Sequence, residues 1–124
     1  MKFYRCRHCG NLITPLRDSG VTPVCCGEPM QEIVPGTTDG AREKHLPVVE
    51  REGNRVTVSV GSVEHPMLEA HYIEWIMLET RKGFQCKTLQ PGEKPVATFL
   101  LAEDDEPIAA WESCNLHGLW KTDC

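Results

Sequence analysis

Four of the five histidines and one late cysteine fall in three short motifs: Glu43-Lys44-His45-Leu46-Pro47, His65-Pro66-Met67 with His71, and Cys114-Asn115-Leu116-His117. Imidazole nitrogen suits iron, copper or zinc, and one thiolate among imidazoles shifts the balance towards a redox metal. Each motif alone is weak; their combination is what counts. Four imidazoles and a thiolate make five ligands, more than structural zinc takes, and leave one octahedral position open. The count fits iron with four nitrogens in a plane and sulfur on the axis, where the thiolate donates electron density to whatever binds opposite.

Four more cysteines crowd the N-terminus, as Cys6-x2-Cys9 and the adjacent pair Cys25-Cys26. Four thiolates complete a tetrahedral set for zinc or for a single iron. A zinc ribbon would supply a second C-x2-C, so the adjacent pair departs from ribbon spacing and tilts the choice towards iron while leaving zinc open. Neighbouring cysteines reach one metal only through a strained backbone. His8 sits inside the first knuckle, but four cysteines already suffice, so it reads as an exposed polar residue.

The elements that must position these residues are strands. Arg55 to Val60 alternates with three valines on one face, and Gly53-Asn54 turns into it from a strand around Val48 to Glu50. Further strands are expected over 72–79, 84–89, 96–101 and 108–113, the last being the final strand of the chain. Short strands with turn signals at this spacing indicate a sandwich or barrel, and no helix is expected. His65 precedes Pro66, which favours an extended backbone. His71 is too distant to share a metal with His65 along one straight strand at ~3.3 Å per residue, so 66–70 must loop back. Residues 1 to about 36 are rich in Cys, Gly and Pro and build little core, and a segment this short usually needs a metal or another staple to fold. Pro35 to Gly40 reads as a linker.

At 124 residues, 40% hydrophobic and 25% charged, the chain has the make-up of a soluble globular protein. Its formal net charge of -5 and lack of a basic stripe argue against nucleic-acid binding. No apolar run is long enough to cross a membrane, and no secretion signal opens the sequence, so a reducing cytoplasm is the expected compartment. Cys86 is expected to pack as a small hydrophobe and the terminal Cys124 to be mobile. The acidic run Glu103 to Glu106 reads as a solvated loop. Trp75, Trp111 and Trp120 read as core or site-wall residues.

Cys6-x2-Cys9, Cys25-Cys26, Glu43-Lys44-His45-x-Pro47, His65-Pro66-Met67, His71 and Cys114-Asn115-Leu116-His117-Gly118-Leu119-Trp120 together resemble the desulfoferrodoxins, two-iron superoxide reductases of anaerobic and microaerophilic microbes. The resemblance implies an all-β protein with a small desulforedoxin- or rubredoxin-like metal domain over 1–36. An immunoglobulin-like antiparallel β-sandwich over 37–124 would follow. It implies two irons per chain and neither haem nor nucleotide. The first would be held by Cys6, Cys9, Cys25 and Cys26. The second would have His45, His65, His71 and His117 in its equatorial plane and Cys114 on the axis.

The implied reaction is the one-electron reduction of superoxide to hydrogen peroxide without release of dioxygen. Lys44 would attract the anion and order the water that protonates it, and Glu43 would close the open position in the oxidised resting state. A homodimer and an electron donor such as rubredoxin are also implied. Two other classes compete with this enzyme: an electron carrier with both metals shuttling charge, and a zinc-stapled binding module on a sandwich. A carrier needs no lysine beside an open position, and a binding module needs none of the histidines.

Overall fold

A computed structural model describes all residues, Met1–Cys124, and the chain divides into two compact units, Met1–Val34 and Pro35–Cys124. In the first, β1 (Phe3–Arg5) pairs antiparallel with β2 (Leu12–Ile13) on one side and β5 (Gln31–Ile33) on the other. A separate hairpin joins β3 (Val24–Cys25) to β4 (Glu28–Pro29). Tyr4, Cys6 and Met30 form its small buried cluster, with Cys25 packed against them. A cluster this small is far short of what holds a domain together without a staple.

The second unit is an antiparallel two-sheet sandwich, the all-β fold expected from the strand pattern. One sheet has the order β10 (Val96–Leu100), β7 (Arg55–Val60), β6 (Pro47–Glu52). The other has the order β12 (Gly118–Asp123), β11 (Pro107–Cys114), β8 (Ile73–Thr80), β9 (Gly83–Thr88). Val56, Val58 and Val60 of β7 are fully buried, so the alternation read from sequence does mark the inner face. They pack with Ile73, Ile76, Leu78, Phe99 and Ala110. Side chains close both open flanks between the sheets. Gln85 donates to the Leu100 carbonyl at 2.8 Å and Lys87 donates to that of Thr98, while Thr122 Oγ1 donates to the Pro47 carbonyl at 2.8 Å.

Four expectations need correction. A one-turn helix, α1 (Arg42–His45), carries His45; it has no capping side chain and stops because Leu46, before Pro47, is extended. The final strand is β12, not β11, and Cys114 belongs to β11 rather than lying beyond it. Cys86 is exposed, because β9 is a sheet edge with all six residues exposed. Cys124 is tied down, its N–H donating to the Ile108 carbonyl at 2.8 Å.

Candidate metal centres

The four N-terminal cysteines converge. The sulfur of Cys25 lies 3.6 Å from that of Cys9 and 4.0 Å from that of Cys26. Those separations are far from a disulfide bond and match the edge of a tetrahedron with metal–sulfur bonds of about 2.3 Å, roughly 3.8 Å. The adjacent pair is possible because Cys26 and Gly27 are the two central residues of the β3–β4 turn, with φ of 51° and 75°. A type I′ hairpin turn needs positive φ at both places. Cys26 therefore carries the strain expected from the sequence, which costs about 1–3 kcal/mol at a non-glycine residue. Amide hydrogen bonding, chiefly from Cys9, lowers the Cys6 thiol to about 6, while the crowd of Cys6, Cys9 and Cys25 pushes Cys26 up to about 12. Four sulfurs this close ionise together only around a cation. His8 stands outside the set, exposed and 3.0 Å from Glu28.

In the second unit, one ligand atom from each of His45, His65, His71, Cys114 and His117 lies within 4.8 Å of the others. Three local devices bring them there. His45 is the last residue of α1, and its Nδ1 lies 2.8 Å from the Ala41 carbonyl. Residues 66–70 do loop back: Leu68 and His71 exchange both backbone hydrogen bonds, at 2.9 and 3.1 Å. At the end of β11 the ladder slips: Ser113 faces Trp75 but Cys114 faces Ile73, leaving Glu74 as an extra residue. A bulge of this kind re-aims a side chain at a sheet rim. Beyond it, the His117 amide donates to the Cys114 sulfur at 3.4 Å.

The ring nitrogens show what this cluster accepts. His65 Nδ1 lies 2.7 Å from the Pro66 carbonyl and His45 Nδ1 2.8 Å from that of Ala41, so in both rings Nδ1 carries the proton. Their Nε2 atoms then face each other as bare lone pairs, 3.2 Å apart. His71 Nε2 is buried without a hydrogen-bond partner. Burial holds His45 and His71 below the usual histidine range and lowers His65 to about 4, so these rings are neutral near pH 7. Inward-facing lone pairs on neutral rings, beside a buried thiol, form a donor set that fits a transition-metal cation.

The surroundings hold this arrangement from behind. Trp120 stacks on His45, centroids 5.0 Å apart, and its indole donates to the His117 carbonyl at 3.0 Å. Trp120 is thus a wall of the site, as one of the sequence readings had it. Pro35 to Gly40 is no free linker: Gly36 donates to the Leu119 carbonyl, Thr38 donates to the His117 carbonyl, and Gly40 packs against Trp120, His45 and His117. Gly61 abuts α1 so closely that a Cβ there would lie 2.5 Å from the Glu43 carbonyl oxygen. The same oxygen accepts from Val63 N–H and Ser62 hydroxyl.

Lys44 and Glu43 are exposed and stand outside the five-atom cluster. Lys44 borders an open cleft of about 560 Å³ together with His65 and Met67. Its charge contributes, after burial, to the lowered basicity of His45 and His71. The acidic run is occupied locally, Asp104 pairing with Lys82 and Glu106 with Arg51 at 2.6 Å. Sequence reasoning missed Glu112, a fully buried carboxyl two residues before Cys114 whose oxygens have no partner. Desolvation raises it to about 9.

Comparison with known proteins gives a profile described as "Desulfoferrodoxin" matching residues 37–123, and one described as "Desulfoferrodoxin, N-terminal domain" matching residues 1–33. The chain belongs to the desulfoferrodoxin family. A desulfoferrodoxin of Nitratidesulfovibrio vulgaris is 48% identical over 122 residues, covering 98% of this chain and 95% of that one. Among solved structures, the superoxide reductase from Treponema pallidum superposes with a TM-score of 0.82 at 43% identity, covering 98% of each chain. A one-iron superoxide reductase from Giardia intestinalis matches 66% of this chain and 97% of its own, with a TM-score of 0.58 at 35% identity. As in this two-iron family, the chain offers one four-cysteine and one four-histidine, one-cysteine centre, each suited to iron. No helix in it is long and apolar enough to cross a membrane.

Proposed function

We propose that the chain is a superoxide reductase: superoxide, one electron and two protons give hydrogen peroxide, and no dioxygen is released. The observation that carries this reading is the convergence of four imidazole nitrogens and one thiol sulfur within 4.8 Å, with Lys44 beside them. His45, His65, His71, His117 and Cys114 would hold an iron ion, which would supply the one electron by passing from ferrous to ferric. A second iron fits Cys6, Cys9, Cys25 and Cys26.

The rest is the work of side chains. The Lys44 ammonium, on the rim of an open cleft, attracts the superoxide anion although the chain's net charge is -5, because the local field governs encounter. The same group orders the water that delivers protons. Glu43, next to it on α1, is the carboxylate we assign to the resting oxidised site. Cys114, fully buried, offers its thiolate on the protein side, with its charge stabilised by the His117 amide.

We further assign the chain to the reducing cytoplasm, where four-thiolate sites persist, and to electron transfer from a rubredoxin-like donor. A homodimer is supported by Leu16, Val21 and Val24, apolar side chains of the N-terminal unit that are 87%, 76% and 66% exposed. Sedimentation at micromolar concentration should give twice the chain mass; a monomer at all concentrations would remove the dimer.

The activity is tested by rapid mixing. Iron-loaded protein should show a thiolate-to-iron absorption band that bleaches on reduction and returns when superoxide is added, with peroxide formed. A reduced protein whose spectrum superoxide leaves unchanged would end the enzymatic reading.

A further inference from the structure

Asn115 follows Cys114 and precedes His117, yet its side chain reaches across to the other ligand loop. Its Oδ1 accepts the Tyr72 N–H at 2.9 Å, and its Nδ2 donates to the Ala70 carbonyl at 3.0 Å. Its own backbone N–H donates to the Tyr72 carbonyl at 3.1 Å. The residues gripped are the two that flank His71. A single amide thus brackets His71 from both sides and refers it to the bulged end of β11, where Cys114 sits.

Met67 ties the start of the loop down, its carbonyl accepting from the Gly92 N–H at 2.8 Å and its sulfur from the Ile73 N–H at 3.3 Å, but the two residues that flank His71 are held by Asn115. Leu68 and His71 bond only to each other across their turn, so that turn is closed but unanchored by its own hydrogen bonds. His71 is also the one ring whose Nε2 is buried without a partner, and no hydrogen bond from its Nδ1 to a carbonyl orients it as in His45 and His65. Its orientation has to come from the backbone, and that backbone is held at residues 70 and 72 by Asn115. A carboxylate there would keep the bond from Tyr72 and face the Ala70 carbonyl with an acceptor. A leucine of similar volume would keep neither.

We propose that Asn115 is a positioning residue of the histidine–cysteine centre, fixing His71 against Cys114 so that both meet one metal. The inference rests on reading His71 and Cys114 as ligands of the same ion. Cobalt(II) probes it without turnover, since a thiolate-to-cobalt band reports the sulfur and titration reports affinity. Zinc can be kept in the four-cysteine site so that cobalt reads only this centre.

Asn115→Leu should weaken cobalt binding about 10- to 100-fold, the usual effect of losing a group that orients a ligand, and should shift or broaden the thiolate band. Asn115→Asp should fall between Leu and wild type, and it remains the informative variant if the leucine protein does not fold. In a His71→Ala background, Asn115→Asp should have no further effect, because the residue acts through His71. Wild-type affinity and spectrum in Asn115→Asp, or an equal loss with and without His71, would overturn the proposal. If His71→Ala alone binds cobalt as wild type does, it is the ligand reading that fails.

Discussion

A lysine one residue before a ligand histidine has little to do with holding the fold: Lys44 is exposed, and its contribution is charge. Lys44→Ala should therefore keep the iron spectrum while slowing the reaction with superoxide about 10-fold or more, the scale of a lost local steering field. The rate should also lose most of its dependence on ionic strength. Stopped-flow mixing across a salt series checks this, and unchanged kinetics would take Lys44 out of the reaction. At this scale much was legible beforehand, because ligand chemistry restricts residue type: the histidines, the four clustered cysteines and Cys114 all stood out. Residues acting through the backbone did not. Asn115 looked like filler inside a motif, and Gly40 and Gly61 matter only for the atoms they lack, which no spacing reveals. Glu112 carried no signal either, since nothing in Trp111-Glu112-Ser113 distinguishes a buried carboxyl from an exposed one.

Among the elements, the two-residue alternation of β7 was readable because one face is core and the other solvent. The same logic explains the misses. α1 is too short to show a helical period, and Leu119 and Trp120 of β12 are both buried, which erases alternation. β9 reads as apolar enough to pack Cys86, but an edge strand offers less cover than its sequence suggests. Its exposed residues instead serve the neighbouring sheet: Gln85 and Lys87 occupy carbonyls of β10 that would otherwise lie bare along a sheet edge. Unpaired edges recruit other chains. A Gln85→Ala, Lys87→Ala double variant should lose about 1–3 kcal/mol in chemical denaturation, at about 1 kcal/mol per hydrogen bond. Light scattering should also show it associating on warming well before the parent. Equal scattering and stability would mean that these contacts protect nothing.

For the molecule as a whole, two buried groups set opposing pH slopes on the stability of the metal-free protein. His65 titrates near 4 in the folded chain against an ordinary 6.5, so the unfolded state takes up its proton first, and stability is lost as pH falls from 6.5 towards 4. Glu112 titrates near 9 against 4.5, so the folded state keeps a proton that the unfolded state gives up, and stability is lost as pH rises from 4.5 towards 9. The two windows overlap from pH 4.5 to 6.5, where the opposing slopes cancel, so the metal-free protein should be hardest to denature across that interval. Glu112→Gln should flatten the alkaline limb and let the acidic one run uncancelled from pH 6.5 to about 4. A wild-type profile level from pH 6.5 to 9 would contradict the buried neutral carboxyl.

Gly61 bears on how such a chain can vary. Because the Glu43 carbonyl oxygen lies 2.5 Å from where a Cβ would stand, every other amino acid collides there, alanine included. Any side chain there has to displace the backbone of α1, so a saturation library screened for cobalt binding should return glycine alone at this position. Ser62 and Val63 bond the same carbonyl through a hydroxyl and an amide that other residues can supply, whereas what Gly61 supplies is the missing atom.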